Sequence, residues 1–232
     1  MIALPFSDRD AAGRLLAAEI EKRKPPSPVV YALPRGGVPV AAPIAEALGA
    51  PLDLLFVRKI GVPGYEELAA GSIIDGERPD IVINEEIVHG LRLSEADIEA
   101  AARRGLREID RRRALYQPGR TPQMAKDRTA ILVDDGIATG ASMRAAIEAV
   151  RRRAPRSVMV AVPVASRETA QDFATLVDDF VCLATPPNFR AVGLYYRDFH
   201  QVTDEEVITL LRLAEKSESV GDERRPTGAN PA

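Results

Sequence analysis

The residues with the most chemical content form one unbroken run, Ala130-Ile131-Leu132-Val133-Asp134-Asp135-Gly136-Ile137-Ala138-Thr139-Gly140-Ala141-Ser142. Apolar residues deliver two adjacent carboxylates, and a short loop then opens a helix near Ala141. Gly136 and Gly140 permit a tight turn and a close backbone approach to a ligand. Thr139 and Ser142 add hydroxyl groups. Successive backbone N–H groups at a helix N-terminus make an anion site suited to phosphate. The carboxylates suit something polyhydroxylated, or a metal. A sugar phosphate answers both ends of the run. The glycine spacing is not that of a GxGxxG turn, and no Lys follows Gly140 as a Walker A loop requires.

Elements that could position this run are legible around it. Ser7 and Asp10 suggest a capping box for an amphipathic helix over 8–24, ended by Pro25-Pro26-Ser27-Pro28. Val29–Leu33 reads as a buried strand. The turn Pro34-Arg35-Gly36-Gly37 follows, then a helix from Val38 to Leu48 stopped by Gly49. Leu52–Val57 is a second apolar run, closed by Arg58-Lys59. Residues 60–72, with several glycines, read as a loop. Ile73–Ile74 and Ile81–Ile83 flank Asp75-Gly76 as a hairpin would. Ser94 and Asp97 start a long helix over 95–116. Thr129–Val133, Ser157–Val164 and Phe180–Leu183 read as strands, Ala141–Arg153 and Arg167–Leu176 as helices. Thr203 and Glu206 form a capping box for a last helix to Ala214. Strands without polar alternation, separated by helices, predict an α/β fold: a parallel sheet with helices on both faces. Ligands in such folds bind at the carboxyl ends of the strands.

With these residues in view, the run 130–142 resembles the signature of type I phosphoribosyltransferases: hydrophobic residues, two acids, then a short loop ending in Thr-Gly. The α/β order matches that family from about residue 8 to 214. The stretches ALPRGGVPVA, FVRKIGVPGYEELAAGSI and YYRDFHQVTDEEV are similar to a subgroup of predicted phosphoribosyltransferases whose acceptor is undefined. The resemblance implies one domain over 1–215, with a helical insertion at about 75–127 and a small acceptor-binding hood at about 184–202. It implies that Asp134 and Asp135 contact the ribose hydroxyls of phosphoribosyl pyrophosphate (PRPP), and that Gly136, Ile137, Ala138, Thr139 and Gly140 bind its 5′-phosphate. Arg35 and Gly36 lie where the family binds pyrophosphate, and Arg35-Gly36 is a candidate for the unusual cis peptide found there. Arg58-Lys59 opens the place of a mobile loop that closes over the reaction. Arg35, Lys59, Asp134 and Asp135 are the expected catalytic set. Mg²⁺ is the expected cofactor, bridging pyrophosphate and ribose with few direct protein ligands. Phe189 and Asp198, in the hood, are candidates for the acceptor. In family members acting on 6-oxopurines an acid precedes the Thr-Gly, whereas this chain has Ala138.

Composition agrees with a globular protein. Of 232 residues, 46% are hydrophobic and 28% charged, and the net charge is −3. Nothing global suggests nucleic acid. The Arg-rich helix 95–116 interleaves Glu99, Glu108 and Asp110 and reads as a solvated face or an interface between copies. One cysteine, Cys182, excludes a disulfide framework. His89 and His200 show no metal-ligand spacing. No run is long enough to span a membrane, and the expected location is the cytoplasm. Residues 216–232 lack apolar content and read as a disordered tail. The rival to an enzyme is a non-catalytic regulator that binds PRPP or a nucleotide. Retention of Arg35 and Lys59 favours the enzyme, because a sensor need not hold pyrophosphate.

Overall fold

The structure is a computed structural model that describes residues 4–62, 65–74, 80–91 and 93–222. In chain order the elements are α1 (Arg9–Glu21), β1 (Pro28–Ala32), α2 (Gly37–Leu48), β2 (Leu52–Leu54), β3 (Val57–Val62), β4 (Tyr65–Ile74), β5 (Asp80–Ile83), α3 (Glu85–Gly90) and α4 (Glu95–Tyr116). They continue with β6 (Thr129–Val133), α5 (Ala141–Arg152), β7 (Ser157–Val164), α6 (Arg167–Leu176), β8 (Asp179–Ala184) and α7 (Asp204–Asp222).

Five strands form a parallel sheet in the order β2-β1-β6-β7-β8. Strands buried on both faces need continuous apolar runs, and β1 and β6 have them. Side chains alternate between two cores. Val30, Ala32, Ile131 and Val133 meet α1, α2 and α7 on one face. Val29, Tyr31, Ala130 and Leu132 meet α5 and α6 on the other. Leu16 and Ile20 of α1 are fully buried, each contributing roughly 2 kcal/mol of hydrophobic stabilisation. The chain steps outward from β1 to β2, returns to β6 on the other side of β1, and continues outward to β8. Strand order therefore reverses between β1 and β6. Crevices form at such reversals, outside the carboxyl ends of the strands.

The segment between β2 and β6 builds a second layer. Here β3, β4 and β5 form a three-stranded antiparallel sheet, with α4 packed against β3 and β4. This corrects the expectation of a loop over 60–72. Ile60 and Val62 on β3, and Ala70 and Ile73 on β4, are buried in the same core as Ala102 and Ile109 of α4. That alternating apolar content is enough to pair two strands. The glycines that suggested a loop coincide with register shifts around Gly61, where a bulge is accommodated. Residues 63–64, between β3 and β4, and 75–79, between β4 and β5 and including Asp75-Gly76, lie outside the described residues. The antiparallel layer begins at Val57.

Smaller differences have local causes. The cap of α1 is Asp8, whose carboxylate accepts the Ala11 N–H at 2.7 Å, in place of Ser7. The last helix continues past Ala214 to Asp222, so it takes in residues 216–222 that composition assigned to the tail. Residues 223–232 lie outside the described residues. No described helix is long and apolar enough to cross a membrane.

Candidate active site

Register brings two loops face to face at the reversal point. Ala32 of β1 pairs with Val133 of β6, and the Leu33 N–H donates to the Val133 carbonyl at 2.9 Å. The next residues are Pro34-Arg35 on one side and Asp134-Asp135 on the other. The loops nearly touch. A Cβ at Gly37 would stand 2.6 Å from the Val133 carbonyl oxygen, and one at Gly36 would stand 2.2 Å from Asp135 Oδ2. Gly36-Gly37 is therefore a requirement of this crossing. The cis peptide lies between Pro34 and Arg35, one bond earlier than the Arg35-Gly36 expected.

Asp134 and Asp135 are half-buried. Asp134 Oδ1 accepts the Asp135 backbone N–H at 2.9 Å. Burial pushes the Asp134 carboxyl well above the usual carboxylate range, and the neighbouring Asp135 charge pushes it further. Burial also raises Asp135, while the Arg9 guanidinium pulls it back. That guanidinium donates from Nε to Asp135 Oδ2 at 2.9 Å. One cation thus serves two carboxylates, a donor set with room for further positive charge.

The loop after the acids is anchored at defined points. The Ile137 side chain is buried, and its N–H donates to the Val164 carbonyl at 2.9 Å. That N–H is committed within the fold, so Ile137 serves as the loop's anchor on β7. Thr169 Oγ1 donates to the Ala138 carbonyl at 3.0 Å. Ala138 and Thr139 are exposed. Gly140 caps α5 with φ +78°, a left-handed conformation that costs L residues energy. Phe173 packs against it and would meet an added Cβ at 2.6 Å.

Arg35 is one-third exposed and its Nη1 lies 3.5 Å from Asp204 Oδ1, at the start of α7. The same oxygen accepts the Tyr116 hydroxyl, from the end of α4, at 2.5 Å. Burial and the Asp204 carboxylate raise that phenol to about 12. Arg58 and Lys59 sit inside β3, opposite Ile73 and Ser72, not at the mouth of a loop. Arg58 reaches Glu108 of α4 at 4.0 Å, and the Lys59 side chain lies outside what the structure describes. Glu108 also accepts from Arg111 and Arg112, which hold its carboxyl down to about 2. Several α4 arginines are thus paired with acids of their own helix, Arg103 with Glu99 among them.

The hood is stitched to the chain's first residues. The Phe6 N–H donates to the Tyr195 carbonyl, and the Arg197 and Asp198 N–H groups donate to the Phe6 and Ser7 carbonyls. Phe189 is half-buried and stacks on Tyr195, centroids 5.5 Å apart. Asp198 Oδ1 accepts the His200 N–H at 3.1 Å and faces its Nδ1 at 2.9 Å, while Nε2 meets Glu206 Oε1 at 2.9 Å. Asp198 thus braces the hood's own turn. Sequence reasoning missed Arg9, Asp204, Tyr116 and Tyr196. A basic first residue at a helix that normally favours acids was the one available signal for Arg9.

An α/β sheet with an acidic pair, a glycine-bearing loop that opens a helix and an arginine-bearing loop at its reversal point defines a class. The phosphoribosyl transferase domain model matches residues 9–198, and the chain belongs to that family. Rv0571c of Mycobacterium tuberculosis (strain H37Rv), provisionally named a phosphoribosyl transferase, is 44% identical over 211 residues, 91% of this chain and 47% of that protein. The chain therefore spans about half the length of the curated relatives it matches. The crystal structure of TT1426 from Thermus thermophilus is similar at a TM-score of 0.78 with 41% identity, covering 90% of this chain and 98% of that one.

Proposed function

We propose that the chain transfers the phosphoribosyl group of PRPP to a nitrogenous acceptor, a nucleobase, and releases pyrophosphate. The observation that carries the reading is the meeting of three parts at the β1/β6 reversal: the Arg35 loop, the Asp134-Asp135 pair and the N-terminal loop of α5. Each part suits one portion of the donor. Asp134 and Asp135 take the ribose hydroxyls. Residues 136–140 take the 5′-phosphate, with the exposed Thr139 hydroxyl as a donor. Gly36 and Arg35 are the candidates for the pyrophosphate, with Arg58 and Lys59 of β3 as its nearest further cations in the sequence. Ile137 contributes its anchoring rather than an N–H.

In the reaction, the bond from the anomeric carbon to pyrophosphate oxygen breaks and its electron pair leaves with pyrophosphate. The acceptor nitrogen bonds to that carbon and gives up its proton. Positive charge gathers on the ring, which the carboxylate pair stabilises, while Arg35 and Lys59 stabilise the leaving group. Mg²⁺ fits this donor set of hard oxygens around an under-compensated acidic pair, and when bound with the donor it would neutralise pyrophosphate charge. Phe189 and Asp198 are the hood's candidates for touching the acceptor.

The test is pyrophosphate release from PRPP and Mg²⁺ with a panel of bases. Release with one base is the expected result. Tight PRPP binding without turnover on any base would indicate a non-catalytic regulator instead. Absence of PRPP binding would remove the donor assignment.

A further inference from the structure

We propose that Arg9 is a positioning residue for the donor's sugar: it fixes the Asp135 carboxylate and ties that grip to the hood. The inference rests on the PRPP reading above.

Arg9 is the first residue of α1 and only 7% exposed. A buried guanidinium loses its hydration and needs partners. Arg9 has three. Nε donates to Asp135 Oδ2 at 2.9 Å, Nη1 donates to the His200 carbonyl at 2.9 Å, and the guanidinium lies 3.8 Å from the Phe199 ring centroid. A buried ion pair adds little net stability over an apolar pair of similar shape. What it supplies well is a fixed geometry, because a guanidinium presents its donors in a rigid plane.

The geometry is defined at both ends. Asp8 caps α1, and the preceding residues Phe6 and Ser7 are hydrogen-bonded to Tyr195, Arg197 and Asp198. Arg9 therefore starts from a backbone locked to the hood. At the other end, the Tyr196 hydroxyl donates to the Asp135 carbonyl, while the Gly36 backbone walls the Oδ2 side of the carboxylate. Tyr196 sets the Asp135 main chain and Arg9 sets its side chain. With Oδ2 engaged by Arg9, Oδ1 remains to meet a sugar hydroxyl. Hood residues 195–200 thus reach the sugar side of the site through one side chain that belongs to neither signature loop.

The experiment compares two probes, PRPP and pyrophosphate, each titrated calorimetrically with Mg²⁺. Arg9→Met should weaken PRPP about tenfold or more, the scale of a lost charge-assisted hydrogen bond. Pyrophosphate affinity should stay within about twofold, because the proposal acts through the sugar alone. Arg9→Lys, which keeps the charge but not the fork, should fall between. Adding Arg9→Met to Asp135→Asn should cost nothing more, since the group being positioned is already altered. Equal weakening of both probes, or an additive double variant, would show a merely structural role and overturn the proposal. Unchanged PRPP affinity would overturn it too. Should Arg9→Met not fold, Arg9→Lys carries the same two-probe comparison. Wild-type protein that binds pyrophosphate but not PRPP would instead remove the underlying reading.

Discussion

The two sides of the crevice are built in different ways. The side proposed for the sugar phosphate is one continuous stretch. Residues 134–140 leave β6 and enter α5 directly, and their anchors come from the next unit of the same sheet, Val164, Thr169 and Phe173. The side proposed for pyrophosphate is assembled from afar. Arg35 is held by Asp204, 169 residues away, and Asp204 is shared with Tyr116. Arg58 answers to Glu108 on α4. The local side needs only strand, turn and helix geometry. The assembled side depends on the inserted unit and α7 being docked, so it can be altered from a distance.

The largest effect should come from the local side. Asp134→Asn with Asp135→Asn should weaken PRPP at least about a hundredfold by calorimetry, the scale of two lost charge-assisted contacts. The fold should stay intact, because relief of the repulsion between two half-buried like charges offsets what Arg9 loses with the Asp135 charge. Retained affinity would break the comparison at its stronger end.

The acceptor comes next. The residue before Thr139-Gly140 is Ala138, exposed and unable to carry a proton. Acid–base help from this position needs a titratable side chain. Hypoxanthine and guanine should therefore be poorer acceptors than adenine or uracil by kcat/KM. A preference for either oxopurine above about tenfold, a gap of about 1.4 kcal/mol in barrier, would show that a carboxylate elsewhere does this work.

On the assembled side, smaller changes are expected. Asp204→Asn removes a negative charge beside Arg35 and should tighten pyrophosphate by about two- to fivefold, a modest value because both side chains are partly exposed. A weakened pyrophosphate would mean that Asp204 matters more as a guide for Arg35 than as a competing anion.

The smallest effect is a pH dependence in the brace between hood and α7. Hydrogen bonds donated to the Asp198 and Glu206 carboxylates raise the His200 pKa above 6.5. Its stabilisation is then fully present below pH 6.5 and is lost as pH rises through the higher folded-state value. Melting curves of the wild type should fall across that window relative to His200→Gln. Parallel curves would show that the brace carries no charge-dependent stability.

The same local-versus-distant division governs what was readable in advance. The parallel strands, the Ser94 cap and the reciprocal Thr203/Glu206 cap are all where spacing puts them. Residues 60–72, with Gly61, Gly64 and Gly71, have the composition of a loop, yet β3 and β4 pair there. These strands gain their apolar burial from α4, which arrives later in the chain. Arg58-Lys59 lies within β3 and not at a loop's mouth for the same reason.

The sequence by itself determined the individual strands, the acidic pair and the loop into α5. Those features follow from neighbours within a few bonds, whose geometry backbone sterics and hydrogen bonding restrict directly. Only the tertiary structure decided that Arg9 meets Asp135, that Asp204 holds Arg35 and that Tyr196 reaches the Asp135 carbonyl. Those pairs join residues separated by 126, 169 and 61 positions. No local periodicity encodes such a meeting, because it depends on how α1, α7 and the hood pack together over the carboxyl ends of the strands.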